Sequence, residues 1–178
     1  MRGLLLMLVF GLAAVAMAGE GTTPVSSPIV GYGAVVPMPN AAEPPRRGIK
    51  IVFDITSESK PEEVNKGLES VARYLNLNAQ VGNKASDAQL ALVLHGPATK
   101  AALNDAAYAS RTEAKQNPNL ALVRELKKHG VEVFVCGQAL ARHKYATSEV
   151  AAEFTTAVSA MTVNANKQQD GYSYISVH

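Results

Sequence analysis

The sequence predicts a three-layer α/β fold in which helices cover both faces of a mostly parallel sheet of about five strands. Three observations predict it. Strand-like and helix-like segments alternate along the chain, the strands are apolar on both faces, and caps and glycines mark the joins between elements. With 178 residues, 47% apolar and 18% charged, the chain has the composition of one globular domain rather than of a disordered or fibrous protein. Seventeen Lys and Arg against 15 Asp and Glu leave a net charge of +2, too small and too dispersed for a phosphate-backbone reader, so no nucleic-acid partner is expected. The single cysteine excludes an internal disulfide framework and a cysteine-rich zinc site.

Residues 1–18 read as a secretory signal peptide, with Arg2, an apolar run from Leu4 to Ala16 broken by Gly11, and the Ala16-Met17-Ala18 cleavage pattern. The run is shorter than the roughly 20 residues that span a bilayer. Cleavage after Ala18, export by the general secretory route and a periplasmic location are the expectation, with no membrane span after cleavage. Residues 19–48 hold six of the nine prolines and form an extended arm. Ile29, Val30, Tyr32, Val35, Val36 and Met38 make it more apolar than a tether needs, which leaves a flexible tether and an arm lying in a surface groove as equal alternatives. The α/β domain occupies 49–178.

Within that domain Ile49 to Ile55 is a β-branched first strand. Ser59 and Glu62 form a capping box with Pro61 in the first turn, and Val64, Leu68, Val71 and Leu75 give one apolar helical face through Leu77. Leu90 to Leu94 is a buried strand ended by His95-Gly96-Pro97, and an Ala-rich helix follows from Ala98 and fades into the polar stretch from Ser110 to Gln116. The next helix is marked at both ends: Asn117 as N-cap, Pro118 first, Leu120, Val123 and Leu126 inward, and Lys127, Lys128 and His129 before Gly130. Val131 to Val135 is a third strand, Cys136-Gly137-Gln138 opens a short helix, and Phe154 to Val158 is a weak strand. Ser159 to Gln169 is a helix, and Tyr172 to Val177 closes the chain as a strand. The order is that of a flavodoxin-like or related fold.

In such sheets ligands and chemistry collect beyond the carboxyl ends of the strands, which here are marked by Asp54, His95 and Cys136. Cys136 sits where a strand gives way to a helix, whose first amides favour the nucleophilic thiolate, and Gly137 permits close backbone approach. The competing reading is an inert buried thiol. His95 ends its strand as Cys136 ends the next, so an imidazole could tune the protonation of the thiol, or else only close the strand end. Cys136 and His95 are the candidate catalytic residues, and Gly137 and Gln138 the candidate substrate-binding ones. The stretch from Asp54 to Ser59 completes neither a flavin phosphate loop nor an aspartyl-phosphate motif, and reads as a helix N-cap with ordinary loop polarity. His129 closes a helix, and His143 and His178 have no partner at metal-ligand spacing, so neither a metal nor a cofactor is expected.

Taken together, Leu92-Val93-Leu94-His95-Gly96-Pro97-Ala98, Asn117-Pro118-Asn119 leading into Leu126 to Val133, Val135-Cys136-Gly137-Gln138 and Asp170-Gly171-Tyr172 resemble the DsrE/DsrF-like family from about Ile49 to Val177. The resemblance is to its exported, single-domain branch. It implies a flavodoxin-like fold, a homo-oligomer built on trimers and, as in the cytoplasmic sulfur-relay members, one cysteine that carries sulfane sulfur as a persulfide between thiol-containing partner proteins. The matching position is Cys136. The alternative from another class is a non-catalytic module of the same fold that binds a small ligand or serves assembly.

Overall fold

The computed structural model describes residues 27–178, so the signal-peptide segment and residues 19–26 of the arm lie outside the described residues. Five strands form one sheet: β1 (Ile49–Ile55), β2 (Ala88–Leu94), β3 (Glu132–Cys136), β4 (Thr155–Ala157) and β5 (Ser173–Val177). Every pairing is parallel and the order is β4-β3-β2-β1-β5. The chain thus steps outward from β1 to β4 and then crosses back to place β5 on the other side of β1. Both faces are covered, as the doubly apolar strands predict.

One face carries α1 (Lys66–Gln80) and α3 (Asn119–Lys128), and the short α2 (Asp105–Ala109) precedes α3 in the chain. Ile51, Phe53 and Ile55, with Leu90, Leu92 and Leu94, pack there against Leu68, Val71, Leu75, Leu120 and Leu126. The opposite face is smaller: Val52, Ala91, Val93 and Cys136 meet Ala139 at the start of α4 (Gly137–His143) and Ala160 and Val163 of α5 (Ala160–Gln169). Residues that alternate along each strand thus separate into two cores.

Strands β2 to β5 shift by one or two residues from the sequence expectation, and three helix boundaries differ for reasons the structure shows. Helix α1 starts at Lys66, not at the Ser59 box, because buried Asn65 is the stronger cap. Its Oδ1 accepts from Gly67 N at 2.8 Å and Leu68 N at 3.3 Å, and its Nδ2 donates to the Ser57 carbonyl at 2.6 Å. Gly67 is needed there, since a Cβ would lie 2.4 Å from Ile55 Cγ2. The Ala-rich segment after Pro97 is a 3-10 helix, Gly96–Ala102, followed by the short α2. The break between them is tertiary: Leu103 forms an antiparallel bridge with Val150, Ala102 O accepts from Ala151 N at 2.9 Å, and Asn104 then caps α2. Helix α3 differs by one residue only, and Asn117 Oδ1 accepts from Asn119 N at 3.0 Å as the predicted cap should.

The described part of the arm is seated on α1. Ile29 is 1% exposed within the main core, and Asn76 of α1 grips its backbone. Asn76 Oδ1 accepts from Ile29 N at 3.0 Å, while its Nδ2 donates to the carbonyls of Ile29, Tyr32 and Gly33 at 3.2, 2.9 and 3.0 Å. Gly33 has φ +57, and a Cβ there would come within 2.3 Å of Arg73 N, so only glycine lets the arm lie this close to the helix. Val30, Val36 and Met38 remain exposed.

Candidate functional site

Cys136 is the last residue of β3 and the N-cap of α4. Its Sγ accepts from Ala139 N at 3.4 Å, which pairs one of the free amides of the helix start with the sulfur. The residue is 6% exposed and packs with the smaller core. Gly137 runs against β4, where a Cβ would lie 2.8 Å from the Ala157 carbonyl oxygen, and Gln138 is exposed. The thiol, its amide partner and the glycine are therefore in one place, with Gln138 facing solvent.

His95 follows β2 directly. The β2–β3 register pairs Leu94 with Val135, and extending it by one residue sets His95 beside Cys136, neighbouring strands being about 4.8 Å apart. The imidazole, however, is committed elsewhere. Its Nε2 is buried 2.8 Å from Asp54 Oδ1, in a bent contact with the N–H off the direct line to the oxygen. The Cys136 sulfur takes its hydrogen bond from Ala139 rather than from His95. The two predicted catalytic residues are thus neighbours at the end of the sheet, with His95 paired to Asp54, the third residue that marks a strand end in the sequence.

Asp54 is not a cap. It lies inside β1, 6% exposed, on the same face as Cys136. Asn164 Nδ2 of α5 donates to its Oδ1 at 2.9 Å, and the Tyr174 hydroxyl of β5 donates to Oδ2 at 2.6 Å. Burial alone would raise its pKa. The contacts from His95, Tyr174 and Asn164 outweigh that and hold it at about 2, so the group is a carboxylate through the physiological range. The hydrogen bond to Asp54 and partial burial raise the Tyr174 pKa, keeping that phenol protonated. The sequence signal for this cluster was a carboxylate within an otherwise apolar strand, which requires partners once buried. Tyr174 and Asn164 carry no such signal of their own.

The remaining histidines have local duties. His143 Nε2 lies 3.0 Å from the Gly96 carbonyl, to which it can only donate, and the ring stacks on Tyr145. His178 bridges the Thr56 and Ser176 hydroxyls at 2.9 and 2.7 Å. A small cleft lined by Glu58, Ser59, Pro61, Lys100, Tyr108 and Asn119 opens near the same end of the sheet, and Cys136 does not line it.

The fold and the site define a flavodoxin-like α/β protein with a thiol and a buried carboxylate paired to a part-exposed imidazole at the carboxyl edge of its sheet. It belongs to the DsrE/DsrF-like family, whose sequence profile matches residues 50–177. Among solved structures the chain is similar to MTH1491, a protein of unknown function from Methanobacterium thermoautotrophicum. The two share 17% identity at a TM-score of 0.52, over 72% of this chain and 99% of that one. That likeness concerns the fold. No curated protein matches the chain.

Proposed function

We propose that this protein is an exported sulfur carrier that holds sulfane sulfur as a persulfide on Cys136 and passes it to a second thiol. The observation that carries the reading is the seat of Cys136, whose sulfur caps α4 and accepts from Ala139 N at 3.4 Å in a chain of the DsrE/DsrF-like family. A helix start of this kind stabilises negative charge on sulfur, which both the attacking thiolate and the bound persulfide carry. Gly137 and Gln138 border the thiol on the α4 side and form the surface met by an incoming donor.

The reading includes removal of residues 1–18 as a signal peptide, a periplasmic location, and a trimer-based homo-oligomer that exchanges sulfur with a thiol-containing donor or acceptor protein. Mass spectrometry of the chain recovered from fractionated cells, and light scattering of the purified protein, test the first two elements and the third. For the chemistry, protein purified without reductant is incubated with polysulfide or thiosulfate, and its intact mass is recorded with and without prior alkylation, using Cys136→Ser as control. Added sulfur that disappears in both controls is the expected result. An unmodified mass, with Cys136 alkylating slowly even at alkaline pH, refutes it.

One observation favours a second reading. Cys136 is 6% exposed and contributes to the core with Val52, Ala91 and Val93, as an inert structural thiol does. In that case the protein is a non-catalytic module that binds a small ligand or serves assembly, and Cys136→Ser leaves its function intact.

A further inference from the structure

The geometry points to Asp54 as the positioning residue that holds His95 as proton donor to the thiolate leaving when Cys136 takes sulfur from a persulfide. This role rests on the reading of Cys136 as the sulfur-carrying residue.

Four elements converge to fix one imidazole. Asp54 comes from β1, His95 from the end of β2, Asn164 from α5 and Tyr174 from β5. A carboxylate buried to 6% exposure is costly unless its oxygens are satisfied, and the donors from Asn164 and Tyr174 saturate the sides that His95 leaves free. Nothing in the packing of the sheet requires a charge at this position, since the neighbouring inward residues on the same face are Val52, Ala91 and Val93. Of the two surface residues that Asp54 contacts, Tyr174 and His95, His95 is the one whose strand neighbours that of Cys136. With Nε2 buried against Asp54, Nδ1 is the accessible nitrogen of a ring that is 28% exposed.

The distance relation assigns the role. His95 is one strand away from Cys136 and does not share its hydrogen bond, so it is poorly placed to take the proton from Sγ itself. A donor R–S–SH approaching Sγ inserts two sulfur atoms beyond the cysteine, and its departing sulfur is the group that needs a proton.

The thiol of Cys136 loses its proton to water, and Ala139 N–H steadies the thiolate. The thiolate attacks the outer sulfur of the donor, forming the Cys136 S–S bond and breaking the donor's S–S bond. His95, its Nε2 turned to the Asp54 carboxylate, gives its Nδ1 proton to the leaving RS⁻ and regains one from water. Cys136-SH and R–S–SH become Cys136-S-SH and RSH, with no net oxidation.

The test compares two reagents on purified full-length protein: glutathione persulfide, whose leaving thiolate needs a proton, and iodoacetamide, whose leaving iodide does not. Rates are followed by intact mass for wild type, Asp54→Asn, His95→Gln and the double variant, with a thermal melt on each to confirm folding. His95→Gln changes a side chain at the protein surface and supplies the test even if Asp54→Asn folds poorly. Each single variant is expected to slow persulfide uptake at least about tenfold, within the range of positioned general acids, while alkylation stays within about twofold. The double variant should be no slower than the singles, because Asp54 acts through His95. Equal slowing of both reagents, single effects that multiply, or uptake unchanged in the variants overturns the role of Asp54 and leaves the sulfur-carrier reading standing. A wild type that alkylates but takes no sulfur overturns that reading, and the role of Asp54 with it.

Discussion

Replacing Asn76 by Ala should lift the arm from the domain rather than leave it seated. The side chain is 1% exposed and makes four hydrogen bonds to the arm, through Ile29 N and the carbonyls of Ile29, Tyr32 and Gly33. If the arm stayed in place, these backbone groups would lose their partner where water has little access. At about 1–3 kcal/mol for each buried unpaired group the total exceeds about 4 kcal/mol. If the arm lifts, water satisfies all four, and the main loss is the burial of Ile29, about 1.5–3 kcal/mol. Release is therefore the less costly response, and urea unfolding should show a loss of about 2 kcal/mol. Chymotrypsin should cut the variant at Tyr32 under conditions that leave the wild type intact. Ile29→Ala should give a similar loss, with little added in the double variant, since both changes undo one contact. A variant that loses more than about 4 kcal/mol while Tyr32 stays protected would refute the reasoning, because the arm would then have remained seated with its groups unpaired.

Further outcomes follow from single sites. The Asp54 carboxyl falls from 3.8 to about 2 on folding, equivalent to about 2 kcal/mol of stability at 1.36 kcal/mol per unit. Because the folded value is depressed, that stability is fully present above about pH 4 and is lost as pH falls through 2. The urea stabilities of wild type and Asp54→Asn should converge over this window, and parallel curves would show that the carboxylate is not held as described. Gly137→Ala should cost about 1–3 kcal/mol in thermal unfolding, since the new Cβ lies 2.8 Å from the Ala157 carbonyl oxygen and forces α4 away from β4. An unchanged melting temperature would mean that β4 yields freely. Asn65→Ala removes the cap of α1 and the bond to Ser57 and should lower stability by about 2 kcal/mol, with hydrogen exchange rising first at Gly67 and Leu68. Equal exchange in both proteins would assign the cap to Ser59, whose Oγ accepts from Lys66 N at 3.2 Å.

The strands and the fold class were legible in the sequence because their cause is local. A run such as Leu90 to Leu94, apolar at every position, is stable only as a strand buried on both faces, and the caps of α3 are written at both of its ends. Cys136 was placed at a strand end by the same reasoning, and β3 ends there. Tertiary structure alone decided which strands are neighbours, because parallel pairing is chosen by packing and leaves no mark in periodicity. The move of β5 to the side of β1 is one result. The break in the segment after Pro97 is another, made by Val150 pairing with Leu103 from 47 residues along the chain. The site followed the same division. The thiol was visible, whereas the partners of Asp54 come from 110 and 120 residues away in sequence, and only the crossing of α5 and the return of β5 bring Asn164 and Tyr174 to a carboxylate that could not otherwise be buried.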